Sequence, residues 1–325
     1  MMTYLVRRML YALPLLLGVN ILTFMLFFVV NTPEDMARMH LGQKHVTPEA
    51  IQQWTHERGY DQPLFFNGGE AGSKVLTETV FYQKSVGLFL FRFGRSDAGR
   101  DIKADIRQRM WPSLAIAVPS LVIGLLVNIS AALLLIFFRL TWMEFWGSAL
   151  CVALMSVSSL FYIIGGQYLL GRLWQLAPIS GYADGMEAFR FLLLPVLLSV
   201  VAGIGSGARW YRALFLEEVE RDYVRTARAK GLSEAAALFR HVLRNAMLTI
   251  LTGVVVILPL LFIGSLITES FFAIPGLGSY TIDAIGQQDF AVVRAMVFLG
   301  SVLYILGLLL TDISYTLVDP RVRLE

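Results

Sequence analysis

Long apolar runs alternate with short charged segments along almost the whole chain. A membrane-spanning helix needs about 20 mostly apolar residues, and windows of that length fall at 9–30, 111–138, 146–170, 191–208, 246–268 and 292–316. Their interiors are almost free of charge, so the pattern predicts six spanning helices. Arg7 and Arg8 precede the first run, as they would in a signal peptide. The run nevertheless continues through Phe24, Phe27, Phe28 and Val30 with no small-x-small cleavage site, which predicts a retained anchor. The segment 31–110 is mixed in character and is expected to form an external subdomain of short helices and loops. Thr47-Pro48-Glu49 reads as a helix start with Pro in the first turn, and Asn67-Gly68-Gly69 as a turn. The expected division is therefore 1–30 (N-terminal residues and first span), 31–110 (external), 111–316 (the other spans, with a cytoplasmic loop at 209–245) and 317–325 (tail).

Composition sharpens this picture. Of the 325 residues, 56% are hydrophobic and 16% charged, and the mean hydropathy is +0.64; soluble domains carry about 25% charge. One globular core cannot hide that much apolar surface, so the bilayer must solvate the rest. The formal net charge of +3 then reads as topology before it reads as nucleic-acid binding. With the N-terminus inside, Arg7, Arg8, Arg139, Arg209, Arg212, Arg221, Arg225, Arg228, Lys230, Arg240, Arg244, Arg321 and Arg323 are cytoplasmic. Only Arg172, Arg190 and Arg294 fall in the opposite short loops, and both termini are expected inside.

Several chemistries are excluded. One cysteine, Cys151, rules out an intramolecular disulfide, and four His with one Cys leave no zinc pattern. His40 and His45 are five apart, not the four that would put two ligands on one helix face. Gly203-Ile204-Gly205-Ser206-Gly207 lacks the strand and the Lys-Ser/Thr of a phosphate loop; Gly203 and Gly207 instead read as a small face for close helix approach. Within the spans the acidic candidate is Asp312, expected to cap or to pair with an Arg of the tail, so no relay for an ion gradient is visible. No Ser/His/Asp set can be assembled within the spans.

The cytoplasmic stretch 217–245 is the most informative. Val224, Ala227 and Leu232 give its first part an interrupted apolar face, Gly231 breaks that helix, and Ser233 before Glu234 can cap a second one ending in Phe239, Val242 and Leu243. Such a pair either lies on anionic headgroups or docks a cytoplasmic partner.

Here the residues resemble a known family. Asp222-Tyr-Val-Arg-Thr-Ala-Arg-Ala-Lys-Gly-Leu-Ser233 is similar to the EAA loop of ABC importer permeases of the dipeptide, oligopeptide and nickel group, with Thr226 in place of the name-giving Glu. Glu269-Ser-Phe-Phe-Ala-Ile-Pro275-Gly276-Leu277-Gly278, followed by Asp283-Ala284 and Asp289-Phe290, resembles that group's outer loop after the fifth span. Asp312-Ile-Ser-Tyr315 and Asp319-Pro320-Arg321 resemble its closing pattern. Arg7-Arg8, Gly59-Tyr-Asp61-Gln62-Pro63-Leu64 and Phe93-Gly94-Arg95-Ser96 look like landmarks of its B-type subunit. Three departures stand out. Thr249 replaces a Pro, implying a straighter start to the fifth span; Pro33-Glu34-Asp35-Met36 replaces Pro-Gly-Asp-Pro; and the stretch 67–91 is long.

The resemblance implies an all-α polytopic, six-helix, type I importer permease of a bacterial inner membrane, for peptides or peptide-like solutes, with an insertion between its first two spans. It implies a homologous permease partner, two cytoplasmic ATPase domains that use ATP and Mg, and a solute-binding protein outside. This chain itself would hold no cofactor, metal, catalytic residue or nucleic acid. ATPase coupling falls to Tyr223, Val224, Arg225, Thr226, Ala227, Ala229, Lys230, Gly231 and Leu232, with Ala227 allowing close approach to the ATPase groove. Glu269, Pro275, Gly276 and Gly278 would form an external gate or merely fix a turn. Met247, Thr252, Val256 and Phe262 are candidates for the translocation path. The alternatives are a nickel or metal-chelate importer and, from another class, a non-transporting receptor or scaffold.

Overall fold

The computed structural model describes residues 2–42, 47–69, 74–183 and 185–318. Expectations resting on His45, Asp319, Pro320, Arg321 and Arg323 lie outside those residues. Among the described residues there is no strand; an isolated bridge pairs Arg95 with Asp101. Five helices are long and apolar enough to cross a membrane, at Leu10–Val30, Ile102–Phe137, Ala188–Val219, Glu234–Phe271 and Phe290–Ser314. A bent pair, Trp142–Ser156 and Ser159–Leu173, makes six if it counts as one span. Leu10, Leu13, Leu15, Leu17 and Leu22 of the first span, and Phe145, Trp146 and Phe161 of the bent pair, are exposed on the chain, as surfaces facing lipid must be.

The boundaries differ from those read along the sequence, each for a local reason. The second-span helix starts at Ile102, well before 111, because Asp101 accepts a hydrogen bond from the Lys103 N–H (3.0 Å) and Ile102 is fully buried. The expected third span bends by 87° at Val157-Ser158. Serines compete with the helical backbone there: the Ser156 hydroxyl donates back to the Val152 carbonyl (2.7 Å), Ser158 caps the following helix, and the Tyr162 hydroxyl ties across the break to the Leu154 carbonyl (2.7 Å). The fourth-span helix runs on from Ala208 to Val219, since Phe215 and Val219 continue its buried face. The loop expected from 209 therefore begins only at Glu220. The fifth span starts early, with a π-helical turn over Leu238–Val242, and changes to a 3-10 helix over Leu258–Ile263, where Pro259 sits. The straight start expected from Thr249 is thus displaced by a π-turn seven residues upstream of it.

The chain forms two compact units. The first comprises the described residues up to Arg109 together with Tyr280–Leu309. In it, the helix Pro33–Leu41 is started by Thr32, whose hydroxyl accepts from the Asp35 N–H (3.2 Å) while the Asp35 carboxylate accepts from the Thr32 N–H (3.3 Å). Thr47 caps Pro48–Glu57 in the way its sequence predicts, and Asn67 accepts from the Gly69 N–H (3.2 Å) in the expected turn. Described residues of the segment 31–110 pack on the first span. Met36, Ala37, Ile51, Trp54, Tyr60 and Val80 close around Phe24 and Phe28 of the first span, whose rings stack 4.8 Å apart. Asp289 joins this unit together, accepting from the Asp97 N–H (2.8 Å) and capping the last helix at the Val292 N–H (3.2 Å).

The second unit takes in Met110–Ser279 and the described residues from Leu310 on, and two buried clusters are seen among its described residues. One gathers Ala132, Leu133 and Ile136 with Phe215, Val219, Val224, Leu238, Val242, Ala246 and Ile250; the other gathers Ile116, Ile163, Leu194, Leu198, Phe272 and Ile274. An ion pair between Glu144 and Arg212 links the first half of the bent pair to the fourth-span helix. The closest helix crossing is at Gly205, which the expected Gly203/Gly207 pattern did not single out. A Cβ at 205 would lie 2.5 Å from the Cys151 carbonyl oxygen and 2.7 Å from the Met155 nitrogen, whereas one at 203 would meet nothing. Gly207 does make a close contact, with the Asn128 amide.

Gly205→Ala is expected to cost about 1–3 kcal/mol, because backbone cannot move aside as a side chain can. Gly203→Ala should be neutral or stabilising by up to about 1 kcal/mol, the helix-propensity gain. Thermal unfolding of the purified protein in detergent separates them; equal unfolding temperatures would contradict the tight crossing.

Candidate functional site

The segment after the fourth span is a compact two-helix corner. Asp222–Ala229 is helical and ends in a Schellman turn: Leu232 N–H donates to the Ala227 carbonyl (3.3 Å) and Gly231 N–H to the Arg228 carbonyl (2.9 Å). Gly231 has φ +85°, the left-handed geometry that a side chain would strain. Ser233 caps the next helix at the Ala236 N–H (3.4 Å). Arg228 clamps the corner with a two-pronged bond to Glu234, Nε to Oε2 at 2.9 Å and Nη2 to Oε1 at 2.7 Å.

This geometry sorts the expected coupling residues into two faces. Val224 and Ala227 point inward, 0% and 5% exposed, so the close approach expected of Ala227 toward an ATPase groove is made instead inside this chain. Tyr223 and Leu232 are half-buried. The Tyr223 hydroxyl bonds Glu218, and burial, reinforced by that hydrogen bond, pushes its pKa up. Arg225, Thr226, Ala229, Lys230 and Gly231 are exposed. The Thr226 hydroxyl donates to the Asp222 carbonyl (2.9 Å), which leaves its methyl group as the outward feature.

After the fifth span, Gly264 turns the chain at φ +76° and Ser265 caps the helix Leu266–Phe271. Glu269 is 1% exposed and organises the loop that follows. Its Oε1 accepts from the Ser265 N–H and its Oε2 from the Ser279 N–H, each at 3.1 Å. The Ser113 hydroxyl accepts from the Leu277 N–H (2.8 Å), and the Ser279 hydroxyl donates to the Ile274 and Gly276 carbonyls. Gly264 and Gly276 press directly on the Glu269 carboxylate, and a Cβ at Gly278 would lie 2.6 Å from the Ser265 carbonyl carbon. Of the residues expected to form a gate, Glu269, Gly276 and Gly278 are thus buried turn-formers, and Pro275 is exposed.

Beside Glu269 lies a cavity of about 360 Å³ whose polar wall is Ser113, Ser120, Ser159, Ser199, Ser265 and Thr268. Ser120 and Ser199 also line a second cavity of about 450 Å³, shared with Asn128, Ser206 and Tyr211. Hydroxyls and amides therefore form a track through otherwise apolar helices, the placement expected of a solute path. None of the path candidates named from sequence lines either cavity. Met247 packs on the core around Val224, and the buried Thr252 hydroxyl bonds the Leu248 and Thr249 carbonyls (3.1 and 2.9 Å). Val256 and Phe262 are half-buried elsewhere. Sequence reasoning missed the serines, although Ser113 and Ser120 fall seven residues apart, two turns up one helix face.

Residues 114–324 match the family described as "binding-protein-dependent transport system inner membrane component", and residues 1–83 match its N-terminal companion. Similar proteins of known description include a putative peptide transport system permease protein of Brucella melitensis biotype 1, 33% identical with both chains covered in full. The di/tripeptide transport system permease protein of Pseudomonas aeruginosa is 29% identical and the glutathione transport system permease protein of Escherichia coli O6:H1 28%, each with 99% of both chains covered. The spanning helices, the corner at Gly231 and the loop folded on Glu269 are therefore those of a multi-pass permease: this chain belongs to the family of binding-protein-dependent transport system inner membrane components, the transmembrane subunits of ABC importers.

Proposed function

We propose that the chain carries peptides or peptide-like solutes across a bacterial inner membrane, as one half of a permease heterodimer with a homologous subunit. The observation that carries this reading is the hydroxyl-lined track from Glu269 to Asn128. A peptide presents alternating N–H and C=O groups, and a Ser hydroxyl can donate to one and accept from the other. The names of the relatives support the same solute class.

Two ATPase subunits dock on the cytoplasmic side, where both termini lie, and hold ATP and Mg; a solute-binding protein delivers the solute from outside. The docking face is the exposed side of the corner: Arg225, Thr226, Ala229, Lys230 and Gly231. Closure of the ATPase dimer pushes on that face. Val224 then transmits the push, because it is seated among Phe215, Val219, Leu238 and Val242 of the fourth- and fifth-span helices. The bundle responds by exchanging two packings, inward-facing and outward-facing, with hydrolysis resetting it.

Two outcomes test the reading in proteoliposomes holding the full complex and its binding protein. Ala229→Arg, on the exposed face, is expected to cut ATP-dependent uptake of labelled dipeptides by about tenfold or more, a loss of about 1.4 kcal/mol in coupling, while the permease pair stays assembled. Undiminished uptake would remove this face as the docking surface. Ser199→Phe fills the point shared by the two cavities, and should lower uptake by a similar factor while ATP hydrolysis continues. Uptake at the wild-type rate would place the path elsewhere.

A further inference from the structure

The first unit contains a second polar cleft, of about 460 Å³, with an uncommon charge balance. Arg58, Lys84, Arg92, Arg95 and Arg294 line it, against the carboxylates of Glu57 and Asp97. The acids nearby are already engaged. Asp97 takes the Arg58 guanidinium at 3.0 Å, with His40 at 3.9 Å, and Asp289 accepts backbone N–H groups from Asp97 and Val292.

Among the described residues, four of these cations have no ion pair, and two of them, Arg294 and Lys84, are withdrawn from solvent. Arg294 is 6% exposed, and its one hydrogen bond runs from Nε to the Phe290 carbonyl, at 3.3 Å; its Nη1 is buried without a partner. Its guanidinium lies 4.8 Å from the centre of the Phe28 ring, a cation–π contact, and the Asp289 and Asp97 carboxylates act on it only through space, with no ion-pair contact. The Lys84 ammonium has neither a hydrogen bond nor an ion pair among the described residues; it stands 5.3 Å from the Tyr60 ring. Burial, with Arg294 and Arg58 close by, holds it below the usual lysine range. A buried, unpaired guanidinium beside a half-buried ammonium is costly unless an anion completes the site. The concave shape and small volume favour a small ligand over a protein surface.

We propose that this cleft binds a carboxylate, that of the C-terminus of the transported peptide, between the Lys84 ammonium and the Arg294 guanidinium. The identity of the ligand rests on the peptide reading above; the carboxylate chemistry rests on the cleft alone. Tyr60 and the aliphatic stem of Lys84 flank the position, Arg58 stays neutralised by Asp97, and the exposed Arg92 and Arg95 add attraction for an incoming anion.

The test uses the assembled complex in lipid nanodiscs without its solute-binding protein, titrated with N-acetyl-Ala-Ala and with the amide of the same dipeptide. Wild type is expected to bind the acid about tenfold tighter than the amide, the scale of a charge-assisted contact. Lys84→Gln and Arg294→Gln should each erase that preference. If Arg294→Gln fails to assemble, the half-buried Lys84 carries the test by itself. Equal binding of acid and amide by wild type, or a preference that survives in Lys84→Gln, overturns the proposal. A Lys84→Gln complex that keeps the preference and, in a separate titration with the solute-binding protein, loses affinity for it likewise overturns the proposal and assigns the cations to an acidic side chain of that partner. Succinate titrated into the same samples separates the two readings: Lys84-dependent succinate binding by a complex that imports no dipeptide upholds the carboxylate site and sinks the peptide assignment.

Discussion

The corner after the fourth span depends on one apolar contact, the burial of Val224. A short polar helix such as Asp222–Ala229 has no stability of its own in water. It stays folded because Val224 sits fully buried among Phe215 and Val219 of the fourth-span helix and Leu238, Val242 and Ala246 of the fifth. Arg228 and Glu234 then fix the angle of the corner, and Gly231 provides the left-handed turn that lets the chain reverse without strain. Packed interiors are bistable and hardly compressible, so a force on the outer face of this helix must reach the spans. The corner is therefore anchored within the membrane-spanning bundle.

The loop after the fifth span solves a different problem with different chemistry. Its backbone folds back on itself over few residues, and the donors thus turned inward need an acceptor. The Glu269 carboxylate serves Ser265 and Ser279 together, and the Ser113 hydroxyl serves Leu277. Gly264 and Gly276 are small because the carboxylate occupies the space a side chain would need. The same carboxylate forms one end of the hydroxyl-lined cavity, so the element that fixes the loop also shapes the polar track.

Much of this was legible in the sequence, to the extent that the determinants were local. Spans follow from run length, the corner from Gly231 and Ser233, and the start of the helix Pro48–Glu57 from Thr47-Pro48. What escaped depended on direction or on distant partners. Helix ends moved because Ile102, Phe215 and Val219 are buried by residues far along the chain. The bend at Val157-Ser158 lies within an apolar window that hydropathy alone reads as continuous. The tight glycine is Gly205 because that face, not that of Gly203, meets the helix Trp142–Ser156. Ala227 turned inward, and serines on other helices, not the fifth-span candidates, line the two cavities, since no single-chain periodicity states which side of a buried helix meets a cavity.

The central claim is that the corner moves as one body with the fourth-span helix. It is tested most directly by pulsed electron–electron resonance between spin labels at Asp222 and Trp210, both exposed, in a Cys151→Ser background of the full complex. Rigid coupling predicts the same distance distribution in the nucleotide-free and ATP-trapped states while uptake remains ATP-dependent. A shift between those states approaching one helical turn, about 5 Å, would show that the corner slides over the helix instead of driving it, and would contradict the account.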